Sequence, residues 1–185
     1  MKIRSLTAAL AGLVLFAAPS PAGAKSKNDA DLAELQNYRL TERVLKKLAQ
    51  VQDSIYASIK ADPGLATRYE KKTALGNESL DQSVRRIESI PELKEAIVKA
   101  GLTPREFFVA GMALAQAAFA SMARDQGNVP AAVRANMSFL KTHEAELTQM
   151  QKVSSDIKAE TDKATAKAKK EQADTAEDKP AGENR

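Results

Sequence analysis

The run from Phe107 to Ala123 carries no charged residue, and it constrains this chain more than any other stretch. It covers about 17 positions, short of the roughly 20 apolar residues a bilayer span requires. Alanine dominates it, with Gly111, Gln116 and Ser121 inside, so it is weakly lipophilic. A helix apolar all round is normally buried among other helices, and a buried core helix is the reading here.

The flanks set its ends. Thr103 and Glu106 have the spacing of a capping box, and Pro104 falls at the first helical position. Gly127, with Pro130 after it, is the expected stop. On a helical wheel Phe107, Phe108, Met112, Leu114, Phe119 and Met122 share one broad face, and Ala110, Ala113, Ala117, Ala120 and Ser121 the other. The large face is expected to interlock with partners and the small face to admit a helix at close range. Burying the large face contributes on the order of 10–15 kcal/mol, while fixing about 20 residues of backbone costs roughly 20–40 kcal/mol. Both faces must therefore be covered, which predicts a central helix with neighbours on at least two sides.

Residues 1–24 have the pattern of a secretory signal peptide: Lys2 and Arg4, an apolar run from Leu6 to Ala18, and Ala22-Gly23-Ala24. No Cys follows the run, which excludes a bacterial lipoprotein anchor. A cysteine-free exported chain relies on its core, which favours a helical bundle. It also excludes thiol catalysis, thiolate metal sites and haem attachment through paired cysteines. The formal charge is +4 and becomes +2 (4 − 2) once Lys2 and Arg4 leave. No basic stripe interleaved with aromatics exists, so no nucleic-acid partner is expected.

The expected fold is all-α, a bundle of four to five helices over residues 25–152: about 41–61, 79–89, 90–100, 104–125 and 136–152. Thr41, Ser79 (with Gln82) and Ser89 (with Glu92) are the expected caps, and Gly101 ends the third helix with Leu102 packed back on it. Leu32, Leu35 and Tyr38 extend the first helix upstream. The polar 62–78 connection, with a short helix around Ala66 to Lys72, reads as a crossover between non-adjacent helices; a mobile functional loop is the alternative. From Val153 the composition turns to Ala, Lys, Glu, Asp and Thr, and 153–185 is expected to be a disordered charged tail.

Chemistry is sparse. His143, the one histidine, falls on the stripe of Met137, Leu140, Leu147 and Met150. Acid–base or metal work requires partners it lacks, so it reads as a half-buried histidine satisfied by a neighbouring backbone or carboxylate group. Leu147 stands where a zinc protease needs its second His, and one His cannot supply a di-iron bundle. A haem held between Met112 or Met122 and His143 is weighed and not expected, because core methionines usually fill gaps. Gly-x-Ser-x-Gly and glycine-rich phosphate loops are missing. Asp29/Asp31 and Glu144/Glu146 read as solvated pairs. No cofactor, metal site or catalytic residue is expected. The candidate ligand or partner surface is Phe107, Phe108, Met112, Phe119 and His143, with the exterior near 62–78 as the other possibility.

Two resemblances add to this. Ile90-Pro91-Glu92-Leu93, Gly101 to Phe107 and Ala135 to Phe139 resemble a family of exported bacterial helical proteins without assigned activity, over about residues 38–150. Leu147-Thr148-Gln149-Met150-Gln151 is similar to the L-T-x-x-Q element of periplasmic stress chaperones of the Spy and CpxP type. The first implies periplasmic or secreted location. The expected role is a non-enzymatic interaction protein of the envelope, with no membrane span after signal cleavage. The alternatives are a stress chaperone for unfolded clients and a carrier of small apolar ligands in a pocket of Phe108, Met112, Phe119 and His143.

Overall fold

The structure is a computed structural model, and it describes residues 29–66, 68, 79–123 and 129–177. The expected signal peptide lies outside them. Among the described residues the chain is all-α with no strand: α1 (Asp29–Asn37), α2 (Glu42–Ala61), α3 (Leu80–Glu88), α4 (Pro91–Lys99), α5 (Pro104–Met122), α6 (Ala131–Thr142) and α7 (Glu144–Glu177).

Local caps form as their residue types dictate. Ser79 and Gln82 make both bonds of a capping box at α3, and Thr103 and Glu106 do so at α5. The Thr41 hydroxyl accepts from the Val44 N–H and opens α2. After α4, Gly101 takes φ 74°, and the N–H groups of Leu102 and Gly101 reach back to the carbonyls of Ile97 and Val98. This is the paired C-terminal closure that a left-handed glycine permits, and Leu102 is buried beneath it.

α5 is central. It packs against α1, α2, α3, α4 and α6, while α2 also packs along α4 and α7. The main core joins Leu45, Leu48, Val51, Ile55 and Ile59 of α2 to Ile87, Leu93, Ile97, Leu114, Leu147 and Met150. Burial runs around α5, as expected, except in its last turn. Ala110, Ala113 and Ala117 are fully covered, whereas Phe119 and Met122 are 46% and 48% exposed. Phe108 and Leu114 of the large face are buried as well, while Ser121 of the small face is exposed, so the bundle covers both faces of α5 and leaves its last turn open.

Several boundaries are corrected. α1 is separate from α2 and is no extension of it. The Asn136 side chain accepts from the Leu40 N–H and donates to the Tyr38 carbonyl, both at 2.9 Å, and so takes backbone groups that a continuous helix would pair. The expected helix over 136–152 is two helices, broken at His143 (φ −120°, ψ 32°). The Phe139 carbonyl, which the His143 N–H would meet in a continuous helix, accepts from the Thr142 hydroxyl at 2.9 Å. α6 begins directly after Pro130, so Asn136 lies mid-helix. Ser89 does not cap α4; it closes α3, its hydroxyl bonded to the Arg86 carbonyl at 2.7 Å, and Pro91 starts α4 without a side-chain cap. α5 stops at Met122, before the expected 125, and Gly127 lies outside the described residues.

The core reaches past the expected boundary at 152. α7 is assigned through Glu177, and Val153, Ser154 and Ile157 are buried, so the packed part of the bundle includes the start of the expected tail. The sparse apolar residues are spaced to meet α2, whose 20 residues give them a surface about 30 Å long. Residues 178–185 lie outside the described set. The 62–78 connection is less polar in use than in composition. Leu65 and Ala66 are buried, in helical backbone at 63–66. The expected short helix extends into residues outside the described set.

Candidate functional site

Four of the five candidate residues lie along α5. Phe108 is buried in the core, Phe107 and Met112 are half-buried against it, and Phe119 is exposed. Phe108, Met112, Ala115, Phe119 and Met122 form one stripe at helical spacing, covered as far as Ala115 and exposed from Phe119 on. Phe108 and Phe119 stand about 16 Å apart along the axis. Phe108 therefore serves the core, and the surface-facing part of the stripe is Phe119 with Met122. Met122 was expected to be buried with the other large residues.

His143 closes α6. Its ring stacks on Phe139 with centroids 3.9 Å apart. Nδ1 lies 2.9 Å from the Phe139 carbonyl, a contact that places the proton on Nδ1, and 3.0 Å from the Thr142 hydroxyl. A ring held this way acts as a helix end. The backbone satisfaction expected from the lone histidine is what the geometry contains, and the ring joins no aromatic contact with Phe108 or Phe119 among the described residues.

Sequence reasoning missed the main polar assembly. Arg105 stands in the first turn of α5, where the helix dipole disfavours a cation. Its guanidinium forks onto Glu34 of α1, with Nε at 3.1 and 3.2 Å and Nη2 at 2.6 Å, and Nη1 reaches Asp81 of α3 at 2.7 Å. Asp31 of α1 lies 3.7 Å from Nη2 and accepts from the Leu80 N–H at 3.2 Å, at the start of α3. The Glu34 and Asp81 carboxylates hold the Arg105 guanidinium above its ordinary range. Asp31 is thus an anchor, correcting its reading as a solvated carboxylate. A basic residue inside a capping box was the available signal.

Two further polar groups lie in the core. Asn136 holds the α1–α2 junction, as described above. Gln52 of α2 donates to the Met150 carbonyl at 2.6 Å and contacts the Ser154 hydroxyl, which fixes the register of α2 on α7. Gln151 is buried in the same helix. The Leu147–Gln151 element thus gives Leu147, Met150 and Gln151 to the interior and leaves Thr148 and Gln149 outside.

No group of acidic and histidine side chains suited to a metal exists among the described residues. No helix among them is long and apolar enough to cross a membrane. No family model, curated protein or solved structure matches this chain significantly.

Proposed function

We propose that this chain is an exported, non-enzymatic helical protein of the bacterial envelope that works by binding another protein. The observation that carries the reading is the outward end of the α5 stripe. Phe119 and Met122 are large apolar side chains displayed on the most enclosed helix of the bundle. Aromatic and methionine side chains on a rigid support are the usual anchors of protein interfaces. Residues 1–24 and the lack of cysteine support export, and the resemblance through Gly101–Phe107 agrees with it.

The test is fractionation and crosslinked co-purification of the tagged full chain from its native cells. The reading expects the protein in the periplasm or medium, and a partner lost when Phe119 and Met122 are both changed to Ser. Cytoplasmic retention contradicts export. A partner recovered equally by the double variant contradicts this surface.

The same exposed pair favours one second reading, a stress chaperone for unfolded clients, to which the Leu147–Gln151 resemblance also points. It expects the chain to suppress aggregation of an unfolded client at no more than equimolar amounts; no suppression removes it.

A further inference from the structure

α1 is attached to the bundle unlike any other helix of the fold. It has nine residues, too few for a stable isolated helix. No side chain from Asp31 to Asn37 is fully buried. Its apolar contribution is Leu35, half-buried against the core, with Tyr38 just beyond its end, while Leu32 is largely exposed. Its hold is instead polar and comes from other elements: the Arg105 fork on Glu34, the Leu80 N–H on Asp31, and the Asn136 amide on the following backbone. The berth beneath it is made by α5 and α6, and the cation that meets α1, Arg105, is presented where the α5 dipole disfavours it.

We infer that α1 is a displaceable strap, and that the berth it occupies on α5 and α6 is a docking site for an acidic amphipathic helix supplied by a partner protein. α1 itself defines the ligand chemistry. The partner carries carboxylates three residues apart, as in Asp31 and Glu34, to meet Arg105 and the α3 N-terminus, with an apolar residue next to the second, as in Leu35. A partner of that pattern replaces α1 contact for contact, whereas a neutral or basic helix leaves Arg105 facing Asp81 alone. This inference goes beyond the interaction reading, at a site other than Phe119 and Met122, and rests on it only for the existence of an outside partner. The strap and berth are tested without one, so a fixed α1 overturns this inference and leaves the interaction reading standing.

The experiment uses the full chain and four forms: wild type, Glu34→Arg, Arg105→Glu and the two changes together, with circular dichroism confirming that each is helical. Hydrogen exchange over residues 29–37 is expected to be at least about tenfold faster than over α5 in wild type. It should rise again by about tenfold in Glu34→Arg with α5 and α6 unchanged, and fall back in the double form. A labelled peptide with the sequence of residues 29–40 is then added. The tethered strap competes at an effective concentration on the order of millimolar, so the peptide should bind Glu34→Arg at least about tenfold more tightly than wild type. Binding should be lost in Arg105→Glu. Wild-type exchange of α1 as slow as that of α5 overturns the strap. Equal peptide affinity for Glu34→Arg and Arg105→Glu, or no binding to either, overturns the berth. If Glu34→Arg does not fold, Glu34→Gln is read in its place against the same outcomes.

Discussion

Asn136 sits in the middle of α6 with both ends of its amide engaged by the turn between α1 and α2. Leu40 is buried beside it, so its N–H has no water to turn to, and the Tyr38 carbonyl is part-buried. Asn136→Ala leaves the Leu40 N–H and the Tyr38 carbonyl unpaired, and each orphaned buried group costs about 1–3 kcal/mol. Thermal unfolding should show a loss of about 2–4 kcal/mol; a change near zero would mean that the turn does not depend on the amide. Glu106 makes a prediction in pH. The backbone N–H of Thr103, then its side chain, holds the Glu106 carboxyl below the ordinary glutamate value, outweighing burial. A depressed folded value means that this stability is complete above the unfolded value of about 4.3 and is lost as pH falls through the folded one. Gln82 fills the same position in the α3 capping box as a neutral side chain. The melting temperature of wild type minus that of Glu106→Gln should therefore shrink between about pH 5 and pH 3. A constant difference contradicts the linkage.

At the scale of the element, α7 is the helix whose composition conceals its role. Lysine, aspartate, glutamate, threonine and alanine fill most of it, and pairs such as Lys152–Asp156 and Lys158–Asp162 line its outer face. Such exposed pairs contribute little to stability, so the helix depends on its contact with α2 through Val153, Ser154 and Ile157. Ile157→Ala should cost about 2–4 kcal/mol, whereas Ala166→Gly, on the exposed side, should cost about 1 kcal/mol or less. Comparable small effects at both positions in denaturant unfolding would return this region to a tail. The contrast between α7 and the caps explains what was legible. Ser79 with Gln82, Thr103 with Glu106 and Gly101 with Leu102 act within a few residues, so their residue types announce them. Gln52 acts on Ser154 and Arg105 on Glu34, 102 and 71 residues away, and no local pattern encodes such partners. The surface pair Phe119 and Met122 was half-legible for the same reason. Periodicity placed both on one stripe with Phe108, but where other helices stop covering that stripe is set by the tertiary arrangement.

Across the whole molecule, a single helix with a small face organises five neighbours and leaves its bulky end to solvent. Alanine contributes to this, because Ala110, Ala113 and Ala117 are fully covered and a larger side chain at any of them would overpack the core. The apolar material that α5 does not need for closure is then free for binding, which links the fold to the proposed role. The direct test is a comparison of thermal unfolding for Ala117→Leu and Phe119→Ala. Inserting a larger side chain at a fully covered alanine should cost about 1–3 kcal/mol, while removing a half-exposed phenylalanine should cost about 1 kcal/mol or less. The account predicts that Ala117→Leu melts clearly below Phe119→Ala; the reverse order would mean that the bundle closes on the large face of α5 and that Phe119 belongs to the core.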